Sequence, residues 1–270
     1  MRLGVALGGG AARGLAHIPV LEALDELGVK PVGLSGTSIG AMMAAGYAAG
    51  MSAAPLREHA YALFSDKARA VLRFAATRQG NVWRHGFANG TSFDPIKLMR
   101  VGMSPIPETF AGLKVPVNVV ATDYYTSEQV VMGSGTLIDA IAASAAIPGL
   151  IRPVLREGRV LVDGCLVDPL PFTQVPGDPD VILACDVTGA PTGHPPELPS
   201  PIQAILASSQ IMISTIIAGQ LRDVRPDIVV RPNISRFRAL DFLKAPEILE
   251  ATAPAKEEVK RALDVLLTRA

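Results

Sequence analysis

The chain opens with a short apolar run, Leu3 to Leu7, that stops at Gly8, Gly9 and Gly10. Beyond the glycines Leu15, Ile18, Leu21, Leu24 and Leu27 recur at the spacing that paints one apolar stripe on a helix, and Gly28 ends the stripe. Pro31 to Leu34 predicts a second short strand. Gly36-Thr37-Ser38-Ile39-Gly40 follows at once, then an alanine-rich helix to about Gly50. Strand, tight turn and helix have now occurred twice, which is the grammar of a parallel sheet covered by helices, with its sites at the carboxyl ends of the strands.

Met51 to about Gly112 shows no clear strand pattern and is expected to be a helical insertion. Within it Arg57 to Arg100 holds eight lysines and arginines against three acids, Glu58, Asp66 and Asp94. Strand patterns return at Val115 to Ala121 and Gln129 to Met132, followed by a helix over Leu137 to Ala145. Arg152 to Leu155 and Arg159 to Val162 predict a hairpin turning at Glu157-Gly158. Val181 to Cys185 and Ile228 to Val230 predict two buried strands, and Lys256 to Leu267 a closing amphipathic helix. Pro201 to Leu221 carries no charge, yet its serines, glutamines and threonine make it too polar for a membrane span, so a buried helix is expected. There are no repeats and no linker, and residues 1–270 are expected to form one domain with its insertion at about 51–112.

Composition narrows the class. Of 270 residues 49% are hydrophobic and 19% charged, enough apolar area to order a globular chain. Twenty-five basic residues balance 25 acidic ones, so net charge offers no argument for a nucleic acid partner. Cys165 and Cys185, both in apolar runs, read as buried free thiols. The N-terminal glycines and Arg13 interrupt any signal-peptide core, and a cytoplasmic location is the default expectation.

The candidate chemistry sits at the two glycine turns. Gly36-x-Ser38-x-Gly40 between strand and helix has the form of a nucleophile elbow, where only glycine fits beside the serine. The bland alternative is a serine that merely caps the helix. A serine nucleophile needs a base. His17 reads as a helix histidine, while His59 and His85 lie in the basic insertion, where solvent-facing roles are the default. His194 follows the acids and leaves open an α/β-hydrolase order Ser38, Asp163, His194. Otherwise a carboxylate must take the proton directly, its basicity raised by burial. Asp123, Asp163 and Asp186 stand at strand ends, and Gly164 lets the chain turn sharply after Asp163; the bland alternative for each of the three is a carboxylate that caps a turn. The loop Gly8 to Gly14 converges backbone N–H groups at a helix start, suited to an anion. Gly14 is displaced from the dinucleotide spacing, and no acid ends the second strand to hold a ribose.

Taken together, the glycine loop with Arg13 and Gly14, the Gly36 to Gly40 elbow, Ala121-Thr122-Asp123, the run Ala143 to Gly149 and Asp163-Gly164 resemble, in order, the patatin-like phospholipases, especially small bacterial members made of the catalytic domain. The resemblance implies a three-layer α/β fold, a mostly parallel sheet flanked by helices, and hydrolysis of lipid acyl esters by a Ser-Asp dyad with no metal or cofactor. On it, Ser38 would attack, Asp163 would take the proton, and the amides of Gly9, Gly10 and Ala11 would hold the oxyanion, with Arg13 adding positive charge. Ala11 stands where the family often has glycine, and Cys165 where glycine or alanine is frequent. The expected partner is a lipid or ester substrate. The insertion, with Arg57, Lys67, Arg69, Arg73, Arg78 and Arg84 among Leu63, Phe64, Val71, Leu72 and Phe74, is either a peripheral membrane contact or a solvated face. A weakly active lipid-binding module is the remaining alternative.

Overall fold

The computed structural model describes residues 1–64, 76–79, 92–103, 106–191, 196 and 198–268. Strand β1 (Leu3–Leu7) lies between β2 (Gly33–Thr37) and β9 (Val181–Cys185), all parallel, and β10 (Ile228–Val230) extends the sheet beyond β9. On the other side β2 pairs with β5 (Val117–Asp123) in parallel. The sheet then turns antiparallel: β6 (Gln129–Met132) and β8 (Arg159–Asp163) both pair with β5, and β7 (Val154–Arg156) pairs with β8. The β7–β8 hairpin turns at Glu157 and Gly158, both at positive φ (51° and 77°), as a tight two-residue turn requires.

Alternation along the strands makes two cores. Leu3, Val5 and Leu7 of β1 face the main core with α1 (His17–Leu27) and α2 (Ile39–Ala48). Ala6 faces the opposite way, into a smaller core with Ala184, Leu170 and Phe172. Helices thus cover both faces, the mostly parallel α/β arrangement expected. The main core takes in α3 (Ala53–Phe64), α4 (Pro95–Gly102) and α5 (Leu137–Ser144), and closes with α7 (Ala245–Thr252) and α8 (Pro254–Leu267).

Three expectations shift. Strand β2 begins at Gly33 and runs through Gly36 to Thr37, because pairing of Gly36 with Leu7 and of Thr37 with Val120 outweighs weak local propensity. The insertion holds one short ladder, β3 (Arg78–Gln79) with β4 (Ser92–Phe93), beside α3 and α4. Helix α6 (Pro201–Asp223) forms as predicted but is not buried: Ile217 packs into the smaller core, while Ile211 and Met212 are more than half exposed. Absence of charge there does not mean burial. Among the described residues no helix is long and apolar enough to cross a membrane.

Candidate active site

Sheet register brings the two candidate residues together. Strand β2 ends with Thr37 opposite Val120, and one rung further along β5, Ala121 is opposite Asp163, the last residue of β8. The side chain of Ser38, just past the end of β2, meets that of Asp163 across this step. Ser38 Oγ donates to Asp163 Oδ2 at 2.7 Å, and both residues are only 4% exposed.

The elbow is held from several sides. Ser38 has φ 57° and ψ −123°, a strained backbone for a serine. A Cβ on Gly40 would lie 2.0 Å from the carbonyl oxygen of Leu7, so only glycine lets α2 abut the end of β1. Ser144, fully buried on α5, accepts the Ser38 N–H at 2.8 Å and donates to the Val120 carbonyl at 2.5 Å, bridging the elbow to β5. Thr37 and Ser35 donate to the carbonyls of Asp168 and Pro171, tying β2 to the chain that leaves Asp163. Ser144 is a residue that sequence reasoning gave no role; its signal was its place in the run Ala143 to Gly149, at the end of a helix that is apolar apart from Asp139.

Asp163 is equally fixed. Its Oδ1 accepts the N–H of Cys165 at 2.8 Å, and its own backbone N–H and carbonyl bond Ala146 and Thr122. Burial pushes its carboxyl above the ordinary 3.8, against the opposing pull of the Cys165 N–H and the Ser38 hydroxyl. That makes it a stronger base than an exposed aspartate. The other two acids cap turns: Asp123 accepts the N–H groups of Tyr125 and Thr126, and Asp186 accepts that of Thr188 and pairs with Arg231 at 3.1 Å.

The glycine loop passes directly over the Ser38 and Asp163 side chains. A Cβ on Gly9 would fall 2.0 Å from Cys165 Sγ and 3.4 Å from Ser38 Cβ, so the loop sits here only because Gly9 has no side chain. One expectation changes: the Gly9 N–H donates to the Pro169 carbonyl at 2.9 Å and is not free for an oxyanion. For the amides of Gly10 and Ala11 no acceptor is found among the described residues. Ala11 takes φ 50°, the conformation glycine accepts more readily, and lines the same cavity as Ser38. Arg13 is buried and its Nε reaches the Gly10 carbonyl at 3.5 Å; burial lowers its pKa to about 10, with Asp186 and Asp241 opposing. Fully buried His17 bonds the Gly8 carbonyl through Nε2 at 2.8 Å, and burial lowers its pKa to about 4, so the ring is neutral and Nε2 donates.

Ser38 opens into an apolar cavity of about 500 Å³, within the range of small-molecule sites. Helices α3 and α4 supply much of its wall, through Leu56, Leu63, Phe64, Leu98 and Met99, and the rest comes from α2, the residues around Ile147 and the segment near Phe242. Leu63 and Phe64, which the sequence sets among the insertion's basic residues, thus face the cavity. Five of the eight methionines, Met42, Met43, Met51, Met99 and Met103, line the cavity, giving it an adaptable wall. His59, half-buried rather than fully solvent-facing, also lines it, and its Nε2 lies 3.2 Å from the Gly102 carbonyl. His85, His194 and the basic residues Lys67, Arg69, Arg73 and Arg84 lie outside the described residues.

Comparison with known proteins bears on the fold and the family. VipD from Legionella pneumophila shares the fold: the likeness covers 97% of this chain and 66% of that one, with a TM-score of 0.53 at 15% identity. The family model for patatin-like phospholipase matches residues 5–176, and the chain belongs to that family. An uncharacterized NTE family protein of Mycobacterium tuberculosis is 35% identical over 193 residues, covering 71% of this chain and 51% of that protein. Lysophospholipase NTE1 of Coccidioides immitis is 31% identical over 276 residues, covering 92% of this chain and 17% of its own length. The chain thus spans about half or less of these curated relatives.

Proposed function

We propose that the protein is a lipid acyl-ester hydrolase, of phospholipase A or lysophospholipase type, working through a Ser38-Asp163 dyad. The observation that carries this is the 2.7 Å hydrogen bond between the two side chains at the wall of an apolar cavity. The fatty acyl chain lies in the cavity with its ester carbonyl at Ser38. As Ser38 Oγ attacks, Asp163 Oδ2 takes its proton. The amides of Gly10 and Ala11 donate to the oxyanion, a contribution on the order of 3 kcal/mol for each donor in such sites. Collapse of the tetrahedral intermediate expels the alcohol, which recovers the proton from Asp163, and leaves Ser38 acylated. Asp163 then deprotonates a water that attacks the acyl-enzyme, and the acid departs as Ser38 regains its proton. The Coccidioides relative's name supports a lysophospholipid substrate.

The test is reaction with a fluorophosphonate probe together with kcat/KM for p-nitrophenyl esters of rising chain length. Labelling of Ser38, and kcat/KM rising by up to about fifteenfold for each two methylenes until the cavity is full, are expected from a gain of about 0.8 kcal/mol per buried CH₂. No labelling, or a preference for acetyl over longer chains, contradicts the reading.

A further inference from the structure

The cavity mouth has its own surface. Leu240 and Leu243 line the cavity and yet are 46% and 36% exposed, so they belong to both the cavity wall and the surface around its mouth. They sit in a short segment, Ser-Arg-Phe-Arg-Ala-Leu-Asp-Phe-Leu-Lys, residues 235–244, ending in a 3-10 turn at Phe242–Lys244. Arg236, Arg238 and Lys244 are exposed around the leucines. Arg236 lies over the Phe237 ring at 4.9 Å, and Phe237 is itself buried, anchoring the segment to the core. Asp241 pairs with Lys244 at 3.0 Å and accepts the Arg238 N–H at 2.9 Å, fixing the turn. No ion pair is found for the guanidinium groups of Arg236 and Arg238 among the described residues, so the segment carries net positive charge beside exposed leucines.

Resting on the acyl-hydrolase reading, we propose that residues 236–244 dock the protein on an anionic phospholipid surface. Leu240 and Leu243 enter the acyl boundary while Arg236 and Arg238 meet the lipid phosphates, so a chain leaving the bilayer passes along apolar side chains into the cavity. Charge complementarity and continuity with the acyl cavity both favour lipid as the occupant. The described part of the basic insertion fits this role less well: Leu63 and Phe64 point into the cavity, and Arg57 pairs with Glu22 at 2.6 Å.

The experiment is vesicle flotation of the Ser38→Ala protein, which needs no turnover, on phosphatidylcholine and on phosphatidylcholine mixed with phosphatidylglycerol. Preferential binding to the mixed vesicles, weakened about thirtyfold by Arg236→Gln/Arg238→Gln, is expected, from about 1 kcal/mol for each basic side chain at such a surface. The same charge change at the end of α6, Arg222→Gln with Arg225→Gln just beyond it, leaves binding intact. A Leu243→Cys protein carrying an environment-sensitive dye shifts its emission to the blue on the mixed vesicles, since Cys165 and Cys185 are buried and take no label. Equal binding by the double variant, no preference for anionic vesicles, or no dye shift overturns the proposal. Arg236→Gln/Arg238→Gln in the Ser38-containing protein still labels with fluorophosphonate, which separates loss of docking from misfolding and from failure of the hydrolase reading.

Discussion

Ser144→Ala tests how the elbow is held. The hydroxyl of this fully buried residue is the acceptor for the Ser38 N–H at 2.8 Å and the donor to the Val120 carbonyl at 2.5 Å. Alanine leaves a buried donor and a buried acceptor facing a methyl group. Each such orphan costs about 1–3 kcal/mol, so the sum is on the order of 2–4 kcal/mol after local relaxation. For a chain of this size that lowers Tm by roughly 5–10 °C. The kinetic effect comes from Ser38 itself: its φ of 57° is strained, and it relaxes once the N–H is released. A displacement of about 1 Å in the attacking oxygen costs on the order of a hundredfold. Thermal unfolding, steady-state hydrolysis of a short ester and the rate of fluorophosphonate labelling are measured side by side. The expected result is a lower Tm with kcat reduced about a hundredfold and KM little changed, because Ser144 does not line the cavity. A Ser144→Ala protein with unchanged Tm and kcat would refute the reasoning.

Gly9→Ala places a methyl group 2.0 Å from Cys165 Sγ and is expected to lower kcat by about a hundredfold as the loop moves off the dyad; adding Cys165→Ala recovers at least part of the loss, and a double variant no better than the single one counts against the contact. Between its folded pKa of about 4 and the ordinary 6.5, His17 binds fewer protons in the folded chain than in the unfolded one, so its contribution is intact above pH 6.5 and declines on acidification by about 3 kcal/mol in total; His17→Gln removes that slope in urea titrations at a series of pH values, and an unchanged slope contradicts it. Because burial raises the Asp163 carboxyl above 3.8 and only its ionised form is a base, kcat/KM falls as pH drops through that raised value; an acid limb at or below 3.8 contradicts the assignment. Met43→Trp fills part of the cavity and lowers the ratio of long-chain to short-chain kcat/KM about tenfold, where an unchanged ratio shows that acyl chains bind elsewhere.

What could be seen in the sequence was whatever is local. The elbow and the glycine loop announce themselves because close backbone approach demands glycine at fixed spacing, and the β7–β8 turn does so through Glu157-Gly158. Asp163 stood out from Asp123 and Asp186 through the Gly164 that follows it and through resemblance, since all three stand at strand ends; the structure separates them by what lies opposite, Ser38 for one and turn amides for the others. The commitment of the Gly9 amide to Pro169, and the bridge from Ser144 to the elbow, join residues more than a hundred positions apart and leave no local trace. The cavity wall was half legible. Leu56, Ala60, Leu63 and Phe64 form an apolar stripe along α3, but the surrounding lysines and arginines drew attention to the opposite face. The chargeless α6 misled in the other direction, because serine, threonine and glutamine satisfy water as well as charged groups do.

The most direct test of the dyad is hydrolysis of a p-nitrophenyl ester by Ser38→Ala, Asp163→Asn and His194→Ala, each checked for folding by its thermal transition. The account predicts that the first two lose activity by a factor on the order of 10³ or more while His194→Ala keeps that of the parent. Loss of activity in His194→Ala, or its retention in Asp163→Asn, would contradict it.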